Sequence, residues 1–192
     1  MILLGLDPAQ STGFAYYEDE RSISAITAGV IRAEGDCYEE KSASIARKLI
    51  AMCREKRPDL IAIEAPLRQK APIKRKMQFM GEHIEEEAPT DFGGLNAIIS
   101  SNQITGAIVA VAGIKAIPFV LISSSTWRRS FLGFGRKPGW QRKDWKKAVR
   151  EQCARERIAV TNDDMADAVA IAIAAKNTDL YRMLKHNMEK AA

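Results

Sequence analysis

The sequence predicts an α/β fold in which a mixed five-stranded sheet is flanked by helices. Three observations lead there. Five short apolar runs rich in Ile, Leu and Val are spaced along the first two-thirds of the chain. The first three are separated by stretches too short for a helix. Between the third, fourth and fifth lie segments with helical spacing. Hairpins followed by right-handed crossovers combine antiparallel and parallel pairing in one sheet. A chain of 192 residues, 46% hydrophobic and 28% charged, is expected to form a single domain over residues 1–192 around one substantial core.

The elements follow in order. Ile2 to Leu6 is an apolar run that ends at Asp7 and reads as a buried strand. The Pro, Ser, Thr and Gly residues of Pro8 to Gly13 form a turn. Phe14 to Tyr17 and Ser22 to Ile31 read as the second and third strands, with Glu18 to Arg21 as the hairpin turn. Ser42 to Lys56 carries Ile45, Leu49 and Met52 at spacings of an amphipathic helix, which Pro58 and Asp59 terminate. Leu60 to Ile63 is the fourth strand, again with a carboxylate, Glu64, at its exit. Residues 66–94 have no clear period and run from basic (Arg68, Lys70, Lys74, Arg75, Lys76) to acidic (Glu82, Glu85, Glu86, Glu87). They are expected to form a long loop beside the functional site, with at most a short helix. Leu95 to Ile114 reads as a long apolar helix, Pro118 to Ile122 as the fifth strand and Ser123 to Thr126 as a polar loop. Gln141 to Arg157 is a basic helix, Asp164 to Lys176 an Ala-rich one, and residues 178–190 a peripheral C-terminal helix.

Composition narrows the function. The apolar stretch from Ala107 to Ile122 is broken by Lys115 and Pro118, so no segment reads as membrane-spanning. The N-terminal run reaches Asp7 without a basic flank, unlike a signal peptide. Cys37, Cys53 and Cys153 are scattered without metal-ligand spacing and fit reduced thiols in a cytoplasmic setting. The net charge is +5, and its distribution says more than its sum. Ser123 to Arg157 holds 11 basic and 3 acidic residues, a net of +8, which leaves −3 for the rest of the chain. Concentrated positive charge favours a polyanion, because neutralised phosphates release counterions; a solvated helix face is the competing reading.

The acidic residues suggest chemistry. If the first and fourth strands lie side by side, Asp7 and Glu64 meet at one sheet edge. Asp164 and Asp167, three apart at a helix start, project from one face. N-capping alone would also place acids there. Converging carboxylates repel one another unless a cation sits among them. Mg²⁺ or Mn²⁺ suits such oxygen ligands, and two ions about 3.5–4 Å apart can activate water and stabilise the leaving oxygen in phosphodiester cleavage. Asp163 is placed to contribute from the same turn.

These residues also resemble a known family. Ile-Leu-Leu-Gly-Leu-Asp-Pro (2–8) with Thr12 and Gly13, Ile-Ala-Ile-Glu (61–64), and Asp163-Asp164-Met165-Ala166-Asp167-Ala168 leading into an Ala-rich run are similar to the three acidic motifs of the RuvC family of Holliday junction resolvases. Asn102 to Gly106 and Phe131-Leu132-Gly133-Phe134-Gly135 add to the likeness, which runs from Met1 to about Ala175. The resemblance implies an RNase H-like fold, metal-binding catalytic roles for Asp7, Glu64, Asp164 and Asp167, and a homodimer that cuts two opposed strands of a four-way DNA junction. Ala9 stands where the family commonly has Gly, and residues 66–94 exceed the family's usual linker, so substrate choice is where a divergent, phage-like branch would differ.

Basic and aromatic residues interleave in the positively charged stretch. Trp127, Arg128, Arg129, Arg136, Lys137, Trp140, Arg142, Lys143, Lys146 and Lys147 are candidate DNA contacts, with Arg68, Lys70, Lys74, Arg75 and Lys76 from the long loop. Trp127 and Trp140 lie in Gly-, Ser- and Pro-rich surroundings and are expected to reach an unpaired base. Trp145, four residues before Val149 on an amphipathic helix, is expected in the core. The apolar helix from Leu95 to Ile114, with Ile98, Ile99, Ile104, Ile108 and Val111, is the candidate dimer interface, with burial inside the monomer as the alternative. Two other functions stay open. A nuclease of the same fold can act on other branched DNA or on RNA–DNA hybrids. The Gly5-Leu6-Asp7-Pro8 turn with Thr12 and Gly13 also resembles the phosphate loop of actin-like ATP-binding proteins, although no second phosphate motif accompanies it.

Overall fold

A computed structural model describes residues 1–66, 74–79, 82–87 and 92–191. Five strands form one sheet: β1 (Ile2–Asp7), β2 (Ser11–Glu18), β3 (Thr27–Arg32), β4 (Leu60–Glu64) and, after two intervening strands, β7 (Phe119–Ile122). Their order is β3-β2-β1-β4-β7. The hairpin pairs β1/β2 and β2/β3 are antiparallel, while β1/β4 and β4/β7 are parallel. This is the mixed sheet expected from the sequence. The third strand is shorter than expected because Ile23–Ala25 coils into a 3₁₀ turn, capped by the Ser22 side chain accepting from the Ser24 amide.

Alternation along the strands sorts side chains into two cores. Leu4, Leu6, Tyr16, Ile61 and Ile63 pack with α1 (Tyr38–Glu55) and α2 (Phe92–Ile114). Leu3, Ala15, Tyr17, Leu60 and Ala62 pack with α3 (Ser124–Leu132), α4 (Arg142–Arg155), α5 (Asp163–Ala175) and α6 (Asp179–Ala191). Among the described residues α2 is the one helix long and apolar enough to cross a bilayer. Its Ile104, Ile108, Val111 and Ala112 are instead buried with Ile45 and Leu49 of α1. The five apolar residues expected at a dimer contact therefore divide: Ile104, Ile108 and Val111 belong to the monomer's own core, Ile98 is half-buried and Ile99 is 38% exposed. Gly106 faces open space.

Two segments depart from expectation. Residues 66–94 are not simply a loop: β5 (Lys74–Phe79) and β6 (Glu82–Glu87) pair antiparallel, with Lys74, Arg75 and Lys76 in register with Glu87, Glu86 and Glu85. A basic run followed by an acidic one is the sequence signal for that pairing, and it has no apolar alternation to reveal it. Ser123 to Thr126 is likewise not a free loop. Ser123 caps α3, its side chain accepting from the Thr126 amide, and Gly133 ends the helix in the left-handed region at φ 86°.

Candidate active site

Parallel pairing of β1 with β4, with Leu6 opposite Ile63, sets the exits of the two strands side by side. Asp7 and Glu64 close those strands and so share one edge of the sheet. The third and fourth carboxylates arrive on α5. Asn162 caps that helix by accepting from the Met165 amide, which places Asp163 and Asp164 in its first turn. What brings α5 close is the absence of side chains beneath it. A Cβ on Gly13 would stand 2.0 Å from the Asp164 carbonyl oxygen, and one on Gly5 would stand 2.4 Å from that of Ala168. The helix answers with Ala166, Ala168, Ala170 and Ala172, all buried. Backbone therefore rests nearly on backbone, and Asp7, Glu64, Asp164 and Asp167 line one cleft of about 370 Å³.

The carboxylates in this cleft crowd one another's charge. Burial first, then the Glu64 charge, a hydrogen bond with Glu64 and the Asp167 charge push the Asp7 carboxyl well above its ordinary value. Burial also raises Asp167, against the pull of Lys146. The other two carboxylates are oriented by neutral donors. Ser124 Oγ donates to Glu64 Oε1 at 2.5 Å, and the indole N–H of Trp127 donates to the same oxygen at 3.1 Å. Ser11 Oγ donates to Asp164 Oδ2 at 2.9 Å. Asp163 turns away toward Arg150, 3.8 Å from it, and does not line the cleft.

A donor set made wholly of carboxylate oxygens suits a hard divalent cation. Burial and the Glu64 and Asp167 charges outweigh the relief that Lys146 gives Asp7. Among the described residues no three acidic side chains stand close enough to grip an ion as they are. One cation does reach in: Lys146 Nζ lies 2.5 Å from Asp167 Oδ2, with the two side chains 18% and 8% exposed. Burial opposes the charge on Lys146, but Asp167, Asp7 and Asp164 together raise its pKa above the usual lysine value.

Beside this cleft runs a mainly basic groove of about 820 Å³ lined by Arg142, Lys143, Lys146, Lys147 and Arg150 together with Glu151, Asp163 and Asp164. A second hollow, about 540 Å³, is lined by Arg128, Arg136, Lys137 and Trp145 among others. Arg129 is exposed on α3. The expected positive surface thus adjoins the acidic cleft. Its aromatic members are placed differently from expectation. Trp127 is 1% exposed and cannot stack on a base, because its ring is core and its N–H serves Glu64. Trp145 is half-buried rather than fully core, in an aromatic cluster with Trp140 and Phe134 at centroid distances of 4.9 and 5.7 Å. Lys137 lies over Trp140 at 4.2 Å and Arg128 over Trp145 at 4.8 Å. Lys146 is drawn from the groove into the acidic cleft. Arg68 and Lys70 lie outside the described residues, as do the side chains of Lys74, Arg75 and Lys76.

Sequence reasoning misses the roles of Ser11, Ser124, Trp127 and Lys146. A buried indole N–H needs an acceptor, and that need is the one available signal for Trp127.

No family model matches the sequence, and no curated protein matches it. Solved structures do. The RuvC structure from Thermus thermophilus superposes with a TM-score of 0.60 at 17% identity, covering 95% of this chain and 96% of that one. A T. thermophilus RuvC in complex with a Holliday junction substrate gives 0.60 at 15% identity, covering 91% and 92%. The yeast mitochondrial Holliday junction resolvase gives 0.53 at 15% identity, covering 96% and 82%. With nearly the whole of both RuvC chains matched, this protein has the RuvC-like, RNase H-like fold.

Proposed function

We propose that the chain is a metal-dependent, structure-selective DNA endonuclease that resolves four-way junctions by paired phosphodiester hydrolysis. The observation that carries this reading is the convergence of Asp7, Glu64, Asp164 and Asp167 from three separate elements at the mouth of a basic groove. Arg142, Lys143 and Lys147 hold phosphates along the groove and bring the scissile bond to the carboxylates. Asp7, Glu64, Asp164 and Asp167 would supply the ligands of a divalent-metal site, Mg²⁺ with Mn²⁺ as substitute. Ser124 and Trp127 keep the Glu64 carboxylate aimed at it, and Ser11 does the same for Asp164. The bound ion supplies Lewis-acid stabilisation of charge at the phosphate and a water of lowered pKa. The fold shared with solved junction resolvases, one of them with its junction substrate, supports the substrate class.

The actin-like reading has less support. A nucleotide's phosphates need open backbone N–H groups at the turn after β1, whereas α5 closes over Gly13 and four carboxylates line the cleft.

Two matched nicks require two equivalent sites, so the active form is a two-fold homodimer. The solvent side of α2, with Ile99 38% and Ile114 79% exposed and no atom within 4 Å of a Cβ on Gly106, supports a self-contact there. The test is incubation in Mg²⁺ or Mn²⁺ with a synthetic mobile four-way junction, other branched DNA, an RNA–DNA hybrid and linear duplex. Paired nicks that ligase can seal are expected from the junction. Unpaired nicks or preferential cutting of the hybrid overturn junction resolution and leave the nuclease reading standing. No cleavage of any substrate by folded protein overturns both.

A further inference from the structure

The segment from Gly133 to Gln141, which joins α3 to α4, is built as a fixed wall. Gly135 is pressed against α3: a Cβ there would stand 2.3 Å from the Ser125 carbonyl oxygen. The Trp140 amide donates to the Lys137 carbonyl at 3.3 Å and turns the chain back. Phe134, Trp140 and Trp145 pack on one another, and Lys137 lies over both the Phe134 and the Trp140 rings. Arg128, from α3, lies over the Trp127 and Trp145 rings, 5.0 and 4.8 Å from their centroids. The hollow of about 540 Å³ that results is lined by Ser125, Arg128, Arg136, Lys137, Pro138 and Trp145 among others, and among the described residues its lining holds three cations and no carboxylate. The groove along α4, by contrast, includes Glu151, Asp163 and Asp164. The hollow also adjoins the acidic cleft, since Ser124, Arg128 and Trp145 line both.

Resting on the nuclease reading, we propose that this hollow seats one unstacked nucleotide of the cleaved strand, the one that flanks the phosphate held at the carboxylates. Its volume falls within the range of about 300–1,000 Å³ typical of small-ligand pockets. A nucleotide makes two demands, a flat surface for its base and a cation for its phosphate. The Trp145 indole and the Arg128 guanidinium plane supply the first, because either can stack on any base. Arg136, exposed on the loop, supplies the second, while Lys137 stays over the Phe134 and Trp140 rings. Taking a base out of its stack costs least where its pairing is already disturbed. A branch point offers such a base, whereas continuous duplex has to break a pair first. The subsite therefore selects branched over linear DNA beside the bond that is cut, with Trp145 and Arg136 as its specificity-determining residues.

The experiment reads binding as well as cutting. Nicks made by the full chain on a four-way junction are mapped in Mg²⁺, and affinity is then measured by fluorescence anisotropy in metal-free buffer. The junctions carry a single abasic site at each position around the exchange point in turn. The wild-type chain is expected to lose about tenfold in affinity when the base beside the mapped nick is missing, and little at other positions. Trp145→Leu keeps an apolar side chain in the cluster without a stacking face, and should bind intact and abasic junctions alike. Trp145→Phe should restore the difference. A neutral methylphosphonate at the flanking phosphate should weaken the wild-type chain about tenfold and leave the affinity of Arg136→Gln unchanged. Circular dichroism checks that each variant is folded; if Trp145→Leu is not, the exposed Arg136 arm decides. Equal affinity for every abasic junction, a loss that survives in folded Trp145→Leu, or equal methylphosphonate losses in wild type and Arg136→Gln overturns the subsite, and the mapped nicks leave the nuclease reading standing. No nick in any DNA by the folded chain overturns the nuclease reading and the proposal with it.

Discussion

At the scale of single residues, the role proposed for Asp7 sets catalysis against stability. Burial and two neighbouring carboxylates hold its pKa well above the ordinary carboxylate value in the folded chain. For a carboxyl raised on folding, the unfolded state ionises first, so the fold is penalised as pH climbs from the unfolded value and the penalty levels off above the folded value. Asp7→Asn removes that penalty. In metal-free buffer near neutral pH its Tm should exceed wild type by about 2–4 °C for each kcal/mol relieved. The gain should shrink toward zero as pH falls to the unfolded value. Saturating Mn²⁺ should reverse the ranking, since wild type gains binding energy that the variant lacks. Cleavage by the variant should fall at least about a thousandfold, the several kcal/mol of charge stabilisation that a bound ion supplies. A scan of Tm against pH with and without metal, beside a nicking assay, checks all of these; near-normal cutting by Asp7→Asn would remove Asp7 from the metal set.

At the scale of elements, the seam between α5 and the hairpin β1/β2 sets the spacing of the cleft. A methyl group on Gly13 has nowhere to go but the Asp164 carbonyl, 2.0 Å away. Gly13→Ala is expected to push the start of α5 off the sheet at a cost of about 1–3 kcal/mol. The displacement carries Asp164 away from Asp7, so cleavage should drop about a hundredfold, more than the reduced stability alone explains at a temperature where the variant is fully folded. Retained activity in a folded Gly13→Ala would show that the seam does not position the site. Much of this element plan is legible in the sequence. A carboxylate directly after a buried apolar run is unusual enough to mark Asp7 and Glu64, and the Asp164/Asp167 spacing marks a helix face. Trp127 misleads, because Gly- and Ser-rich neighbours suggest exposure while its partner, at the end of β4, lies 63 residues back. Lys146 is hidden among identical charges, since nothing local tells which lysine of a basic helix faces inward. The pair β5/β6 is hidden because its two strands lack the apolar alternation that exposes a half-buried hairpin.

At the scale of the whole molecule, charge is arranged as an acidic cleft opening into a basic groove. Neutralising Arg142, Lys143 and Lys147 together should weaken binding to junction, branched and linear DNA alike. The log–log dependence of affinity on salt should flatten by about 0.9 for each phosphate that is no longer neutralised. Fluorescence anisotropy across a salt series reads that slope, and an unchanged slope would assign these residues to a solvated face.

The split origin of the cleft also bears on when the protein becomes dangerous to DNA. Asp7 and Glu64 stand in the first third of the chain and Asp164 and Asp167 in the last fifth, so the cleft closes across about a hundred residues or more of sequence. Such distant closures form late, after local helices and hairpins have settled. A growing chain on the ribosome, or one clipped before residue 163, holds half of a site and no means of completing it. Cutting competence thus arrives together with the finished fold, as a property of the last helices to dock rather than of the strand that carries the first carboxylate.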